Sequence, residues 1–485
     1  MPDNGIPPGL AKKVRSADDG QDNSDGNGGP GVIPPVIIPV LPPPTTPVIP
    51  ANLAAYLPPD IQTVFDNQPD GLAWTPLEVQ TEDGFVAATL TAPVVVFADL
   101  PAGSGSAPLL LDGGDVVGVV DIGAAPMSID DDGALYQYIV AGGAGMTLFD
   151  QAASGEVVAD SGVNEWIFGQ AGVRHWVINL AGGDNTVFTG SGDDVISTGP
   201  ASSNEIVLQG GNNLVSSYGH DTIIAGGGDD TISVGGSGAL VFGGSGQLTF
   251  IDANPVAGAS ASEIVGGSGF ITAYGGAGSL TVFGGSGGGI YFGGSAGNNL
   301  MVGGAGRDTL VGGGNGDRLY AGAGGHDVLV AASGNETLVG SLSHGGNVFY
   351  GGTGQDIIVM GAGNNTVAAG AAGTSDVIFG GGGNDTVSAG AANVFYVAGA
   401  GSALIDAGSG ADVFQFVNGQ AGGSAVINGF VPGVDRIDLQ GYAPGTAAQV
   451  VANGVSTGGS MLLTLPDATH ILLTGVTHLP STAVS

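Results

Sequence analysis

Residues 303–330 read GGAGRDTLV GGGNGDRLY AGAGGHDVLV. Glycines open each unit, an aspartate follows (Asp308, Asp317, Asp327), and a leucine lies two residues beyond it. Adjacent glycines permit positive φ in a tight turn. The T-L-V, R-L-Y and V-L-V segments alternate as short strands do, with one aliphatic inward and its neighbours outward. A turn and strand of this size cannot bury an apolar face alone, so copies must stack on one another.

The same unit recurs outward in both directions. AGGGDDTIS spans Ala225–Ser233, TGSGDDVIS spans Thr189–Ser197, GGTGQDIIV spans Gly351–Val359 and GGGGNDTVS spans Gly380–Ser388. The acid returns at intervals of nine, with some of ten or eleven: Asp308, Asp317, Asp327 and Glu336, then Asp356, Asp376 and Asp385. Such a period marks one supersecondary unit repeated with small insertions, over about residues 163–415.

This array resembles the RTX, or hemolysin-type, glycine-rich nonapeptide family, written G-G-x-G-x-D-x-U-x. The resemblance implies an all-β fold, a parallel β-roll or β-helix solenoid with two nonapeptides per coil, and calcium as the bound ion. At roughly 18 residues per coil and 4.8 Å per layer, the array makes ~14 coils in a rod of roughly 65 Å.

Stacking explains the ion. Turns on one side lie about 18 residues apart, so Asp308 should stack near Asp327, Asp317 near Glu336, Asp356 near Asp376, and Asn365 near Asp385. Charges ~5 Å apart repel by roughly 1 to 3 kcal/mol. A hard divalent cation between neighbouring turns relieves this, and Ca²⁺ accepts six to eight oxygens in flexible geometry. The candidate ligands are Asp194, Asp221, Asp230, Asp308, Asp317, Asp327, Glu336, Asp356, Asp376, Asp385 and Asp412. The middle copies carry Ile271, Leu280 and Gly289 where the acid belongs, and Asn213, Asn299, Asn347 and Asn365 offer a neutral oxygen. Acidic sites are therefore expected in two blocks, Asp194 to Asp230 and Asp308 to Asp385.

Composition sets limits around this core. Of 485 residues 96 are glycine, which excludes a helical bundle. The glycine pairs lack the three-residue period of collagen. A formal charge of -36, from 43 Asp plus Glu against 7 Lys plus Arg, opposes nucleic acids and anionic membranes and invites cations. With no cysteine there are no disulfides and no thiolate metal sites. Residues 1–50, acidic and then proline-rich (VIPPVIIPVLPPPTTPVIP), read as a disordered linker without a secretory signal or membrane span. Residues 51–162 read as a small β-rich domain or cap. In residues 416–485, GADVFQFVNG (410–419) and INGFVPGVDRIDLQGY (427–442) bracket the boundary and resemble the closing region of type I secreted RTX proteins. That resemblance implies β capping, an uncleaved C-terminal export signal and contact with type I secretion machinery.

Other motifs carry less. Gly284, Ser286 and Gly288 match a G-x-S-x-G elbow, yet the repeat itself generates them. Arg307 and Arg318 flank Asp308 and Asp317 as turn charge compensation rather than as catalytic bases. Asp130, Asp131 and Asp132 read as a solvated acidic turn. Tyr274, Phe283, Phe292 and Tyr320 end their units and face outward, over neighbouring turns or as a strip for sugar rings or another rod. The sequence therefore describes a secreted, non-enzymatic calcium-binding protein of the cell surface or matrix. The alternative is a polysaccharide-acting or polysaccharide-binding protein whose working part is residues 51–162.

Overall fold

The computed structural model describes residues 163–485 apart from short gaps at 170–174, 256–260, 341–342, 344 and 421–422. Before residue 163 it describes the strands from Thr75 onward and few of their connections. The expected linker of residues 1–50 lies outside the described residues, as do the side chains of Asp130, Asp131 and Asp132.

Strands β1 (Thr75–Val79) to β38 (Arg436–Gln440) alternate between two parallel sheets, odd-numbered strands in one and even-numbered in the other. Each strand pairs with the one two places on, as β25 (Asp308–Val311) does with β27 (Val328–Val330) and β26 (Arg318–Tyr320) with β28 (Thr337–Val339). Two nonapeptides thus complete one coil, and the parallel solenoid is as expected.

The three-residue strands place their middle side chain inside. Leu310, Leu329, Phe349 and Val367 stack in register under the odd sheet. Leu319, Leu338, Ile358 and Ile378 stack under the even one. All eight are buried, each contributing roughly 1.5 to 3 kcal/mol by leaving water. Stacking at this pitch explains the fourth-position glycine: a Cβ on Gly354 would overlap the Gly334 carbonyl oxygen of the preceding coil. Gly228, at φ 89°, needs the left-handed conformation instead.

The pairing shows no break near residue 162. β9 (Ser154–Ala159) pairs with β11 (His175–Leu180), β8 (Met146–Asp150) with β10 (Trp166–Gly169), and β1 with β3 (Val94–Ala98). The strands within 51–162, the region read as a small β-rich domain or cap, therefore pair onto the solenoid of the repeats. Buried Ile129, Ile139, Leu148 and Val157 supply their core. At the other end the boundary at 415/416 falls inside β36 (Val413–Val417), and coiling continues through β38.

Capping follows. On the odd sheet β41 (His470–Leu473) adds in parallel to β37 (Ser424–Asn428), and β40 (Ser460–Thr464) and β39 (Val455–Thr457) add antiparallel. On the even sheet Ser485 exchanges backbone hydrogen bonds with Ile437 and Leu439. One helix, α1 (Thr446–Ala452), lies between β38 and β39. Both open edges are thereby paired over part of their length, which restrains edge-to-edge association. No helix among the described residues is long and apolar enough to cross a membrane.

Candidate metal centre

The residue before each strand, or at its start, turns inward at the rim of the solenoid. All eleven candidate acids are there, each no more than 3% exposed. Asp221, Asp317, Glu336, Asp356, Asp376 and Asp412 line the rim that enters the even sheet. Asp194, Asp230, Asp308, Asp327 and Asp385 line the rim that enters the odd one.

Along each rim one side chain per coil accepts the backbone N–H of its counterpart one coil earlier. On one rim Glu336 N donates to Asp356 Oδ1 (2.9 Å) and Asp356 N to Asp376 Oδ1 (3.1 Å). On the other, Asp308 N donates to Asp327 Oδ1 (2.9 Å), Asp327 N to Asn347 Oδ1 (3.0 Å) and Asn365 N to Asp385 Oδ1 (2.9 Å). The second carboxylate oxygen often takes a turn amide, as Asp317 Oδ2 does from Gly313 N at 2.7 Å. Aspartate suits the position because one short side chain serves two backbone donors that burial cuts off from water.

These ladders place Asp308 beside Asp327, and Asp317, Glu336, Asp356 and Asp376 in consecutive coils. Asp412 gains a neighbour absent from the candidates, Asp435, whose Oδ1 accepts Asp412 N at 3.0 Å. The interval of 23 residues, set by the insertion before β38, hid it from a nine-residue period. The first block behaves otherwise. Asp194 and Asp230 flank Asn213, and Asp221 follows Asn185 and Asn204, so amides separate the acids instead of letting them stack. Asp221 Oδ2 is further engaged by the Thr198 and Ser217 hydroxyls (2.6 and 2.7 Å). Asn204 and Glu165 were missed as rungs because no glycine pair precedes them, and Asn185 because an amide stands where the acid belongs.

In the acid-poor middle, Ile271 and Leu280 are buried rungs without oxygen ligands. At Gly289 the Tyr291 hydroxyl fills the position and donates to Asp308 Oδ1 at 3.2 Å. Ser286 lies in a turn between two strands, β22 (Leu280–Phe283) and β23 (Gly289–Phe292), so no helix follows it as an elbow requires. Arg307 sits close enough for its charge to favour ionised Asp327, whereas Arg318 is exposed on the outer face.

Several oxygens are left over. Asp194 Oδ2, Asp327 Oδ2, Asp412 Oδ2 and both Glu336 carboxylate oxygens are buried without a hydrogen-bond donor. Burial raises Asp194 and Asp412 to about 6, Asp435 adding to the shift at Asp412. Burial, the Asp356 carboxyl and the Asp317 charge push Glu336 above the usual range. Asp230, Asp308, Asp327, Asp376 and Asp385 are also raised, chiefly by burial. Buried carboxylates that lack donors and face one another require protons or a cation.

The donor set fits a hard cation, since oxygen is the only ligand atom offered and two carboxylates are in register. No three acidic or histidine side chains converge among the described residues. The residues that could hold a cation are therefore one or two carboxylates together with backbone carbonyls of the turns.

These shifts give a pH dependence for the calcium-free chain. A carboxyl whose folded pKa is raised binds its proton more tightly when folded, so stability is lost as pH rises through the folded value and gained as it falls. For Asp194 and Asp412 the window runs from about 6 down to the ordinary aspartate value of 3.8, and Glu336 starts higher. In EGTA, β-structure measured by circular dichroism should increase from pH 7 to pH 5, while the calcium midpoint shifts to higher concentration. A calcium-free spectrum that loses β-structure over that interval contradicts the electrostatic account.

Residues 177–200, 208–238, 293–325, 330–367 and 372–396 match the family model of the RTX calcium-binding nonapeptide repeat (4 copies). The gap between the second and third matched stretches holds the rungs Ile271, Leu280 and Gly289. No curated protein matches the chain.

Proposed function

We propose, from the premise that this chain carries RTX calcium-binding nonapeptide repeats and that calcium is their ion, that it is a secreted, non-enzymatic rod with a structural role at the cell surface or in the matrix. The observation that carries the calcium assignment is the set of buried carboxylate oxygens without donors at Asp194, Asp327, Glu336 and Asp412. Asp308 with Asp327, the run from Asp317 through Glu336 and Asp356 to Asp376, and Asp412 with Asp435 would hold the ions. Asp194, Asp230 and Asp385 would contribute single carboxylates, and Asp221 the least.

Secretion suits this chemistry. Where calcium is scarce the stacked acids repel and the chain stays threadable, and outside the cell binding free energy becomes folding free energy. The structural role is supported by the continuity of strand pairing from β1 to the C-terminal cap. That continuity disfavours the alternative in which residues 51–162 form a separate polysaccharide-acting module.

Export is the test. In cells with a cognate type I exporter, deleting residues 412–485 should retain the chain inside, and fusing those residues to an unrelated soluble passenger should release the passenger. Truncated chain in the medium at the full-length level, without lysis, contradicts the export assignment.

A further inference from the structure

The outer surface of the even sheet carries one unbroken apolar column. Register connects Phe149 to Phe168 and Phe188, passes through Val207 and Ile224 to Phe242, and continues by way of Phe283 to Val397. Every rung between is Phe, Tyr, Val or Ile. The rings at its start stack, with Phe149–Phe168 and Phe168–Phe188 centroids 5.1 and 5.2 Å apart. Phe149, Phe283 and Phe379 remain 39, 39 and 40% exposed. The corresponding column of the odd sheet differs. It holds Asn179, Ser197, Ser216 and Ser233, then a shorter run of seven apolar rungs from Ile251 through Tyr274 and Phe292 to Ala368, and it ends in Ser388 and Asp406.

We propose that this apolar face of the even sheet is the interface between two copies of the chain, packed face to face about a two-fold axis. Length and area support that occupant. One rung per ~4.8 Å gives a stripe roughly 60 Å long, and the two outward columns make it about 10 Å wide. The resulting 600 to 700 Å², as an order of magnitude, approaches the ~800 Å² per partner of a stable interface.

Charge points the same way. On a chain of net charge -36, the neighbouring outward column between Trp166 and Phe395 has only Glu205, Glu263 and Arg318 as charged residues. Few like charges therefore oppose two copies that meet here. A second copy also has the same rung spacing, so an antiparallel pair stays in step along its whole length, and one patch serves both partners.

The full-length protein in calcium should sediment as a dimer at micromolar concentration. Phe242→Asp with Phe283→Asp should sediment as a monomer with an unchanged calcium-dependent dichroism spectrum. Tyr274→Asp with Phe292→Asp, on the odd sheet, should remain dimeric. If aspartate unfolds the coil, Phe242→Thr with Phe283→Thr supplies the same comparison with a strand-compatible residue. A wild-type monomer throughout, or equal loss of the dimer in both pairs of variants, overturns the proposal. So does a monomer retained on insoluble polysaccharide through Phe242 and Phe283, which would assign the face to sugar.

Discussion

Replacing Asp317 and Asp327 together by alanine is expected to remove several kcal/mol of stability and lower the number of bound calcium ions. Asp317 accepts Asn299 N, Gly313 N and Gly314 N, and Asp327 accepts Asp308 N. Their loss strands three buried donors and the part-buried Gly313 N, at roughly 1 to 3 kcal/mol for each buried one, a large share of the 5 to 15 kcal/mol of a typical domain. Thr272 and Thr281 lie half-buried on outward strand positions of the acid-poor coils, and alanine there should cost within about 0.5 kcal/mol. Asparagine at 317 and 327 separates the two roles. Asn299, Asn347 and Asn365 already make the ladder hydrogen bond with a neutral Oδ1, so the asparagine variant should be more stable than the alanine variant. It should nevertheless bind fewer ions. Thermal unfolding and equilibrium dialysis read the two effects, and an asparagine variant with wild-type stoichiometry contradicts the ligand assignment.

The repeats made most of this legible. The period fixed the coil, the alternation at Thr309-Leu310-Val311 fixed which side chain is core, and the acid spacing put Asp308 beside Asp327. Three things were hidden, each for a physical reason. The coils before residue 163 use the same stacking without the nine-residue spacing of glycine and acid, and strands such as Met127–Asp132 are longer. Asp435 is displaced by an insertion, which changes sequence distance while conserving the position in the coil. The hydrogen-bond ladder itself was not foreseen: rung carboxylates first satisfy backbone amides, and only the oxygens left over call for a cation.

The aromatic residues teach a related lesson. Tyr274, Phe283, Phe292 and Tyr320 share a position in the repeat, yet successive repeats feed opposite sheets. Tyr274 and Phe292 stack on one, at 5.2 Å, and Phe283 and Tyr320 lie on the other. The expected single strip is two. The apolar column on the even sheet appears only when every second repeat is followed.

The central claim is that calcium is what allows the buried acid rims to fold at neutral pH. Glu336 carries it most clearly: its carboxyl is buried, lacks any donor and sits between Asp317 and Asp356. A proton, shared with the Asp356 carboxyl, or a divalent ion is the neutralisation open to it. Far-ultraviolet dichroism of the full chain during a calcium titration from EGTA, at pH 7.5, is the direct measurement. The account predicts little β-structure in EGTA and a cooperative gain with a midpoint of roughly 0.1 to 1 mM, the range of extracellular calcium modules. Magnesium at the same concentration should give much less. A spectrum of full β-content in EGTA, unchanged on adding calcium, would contradict it.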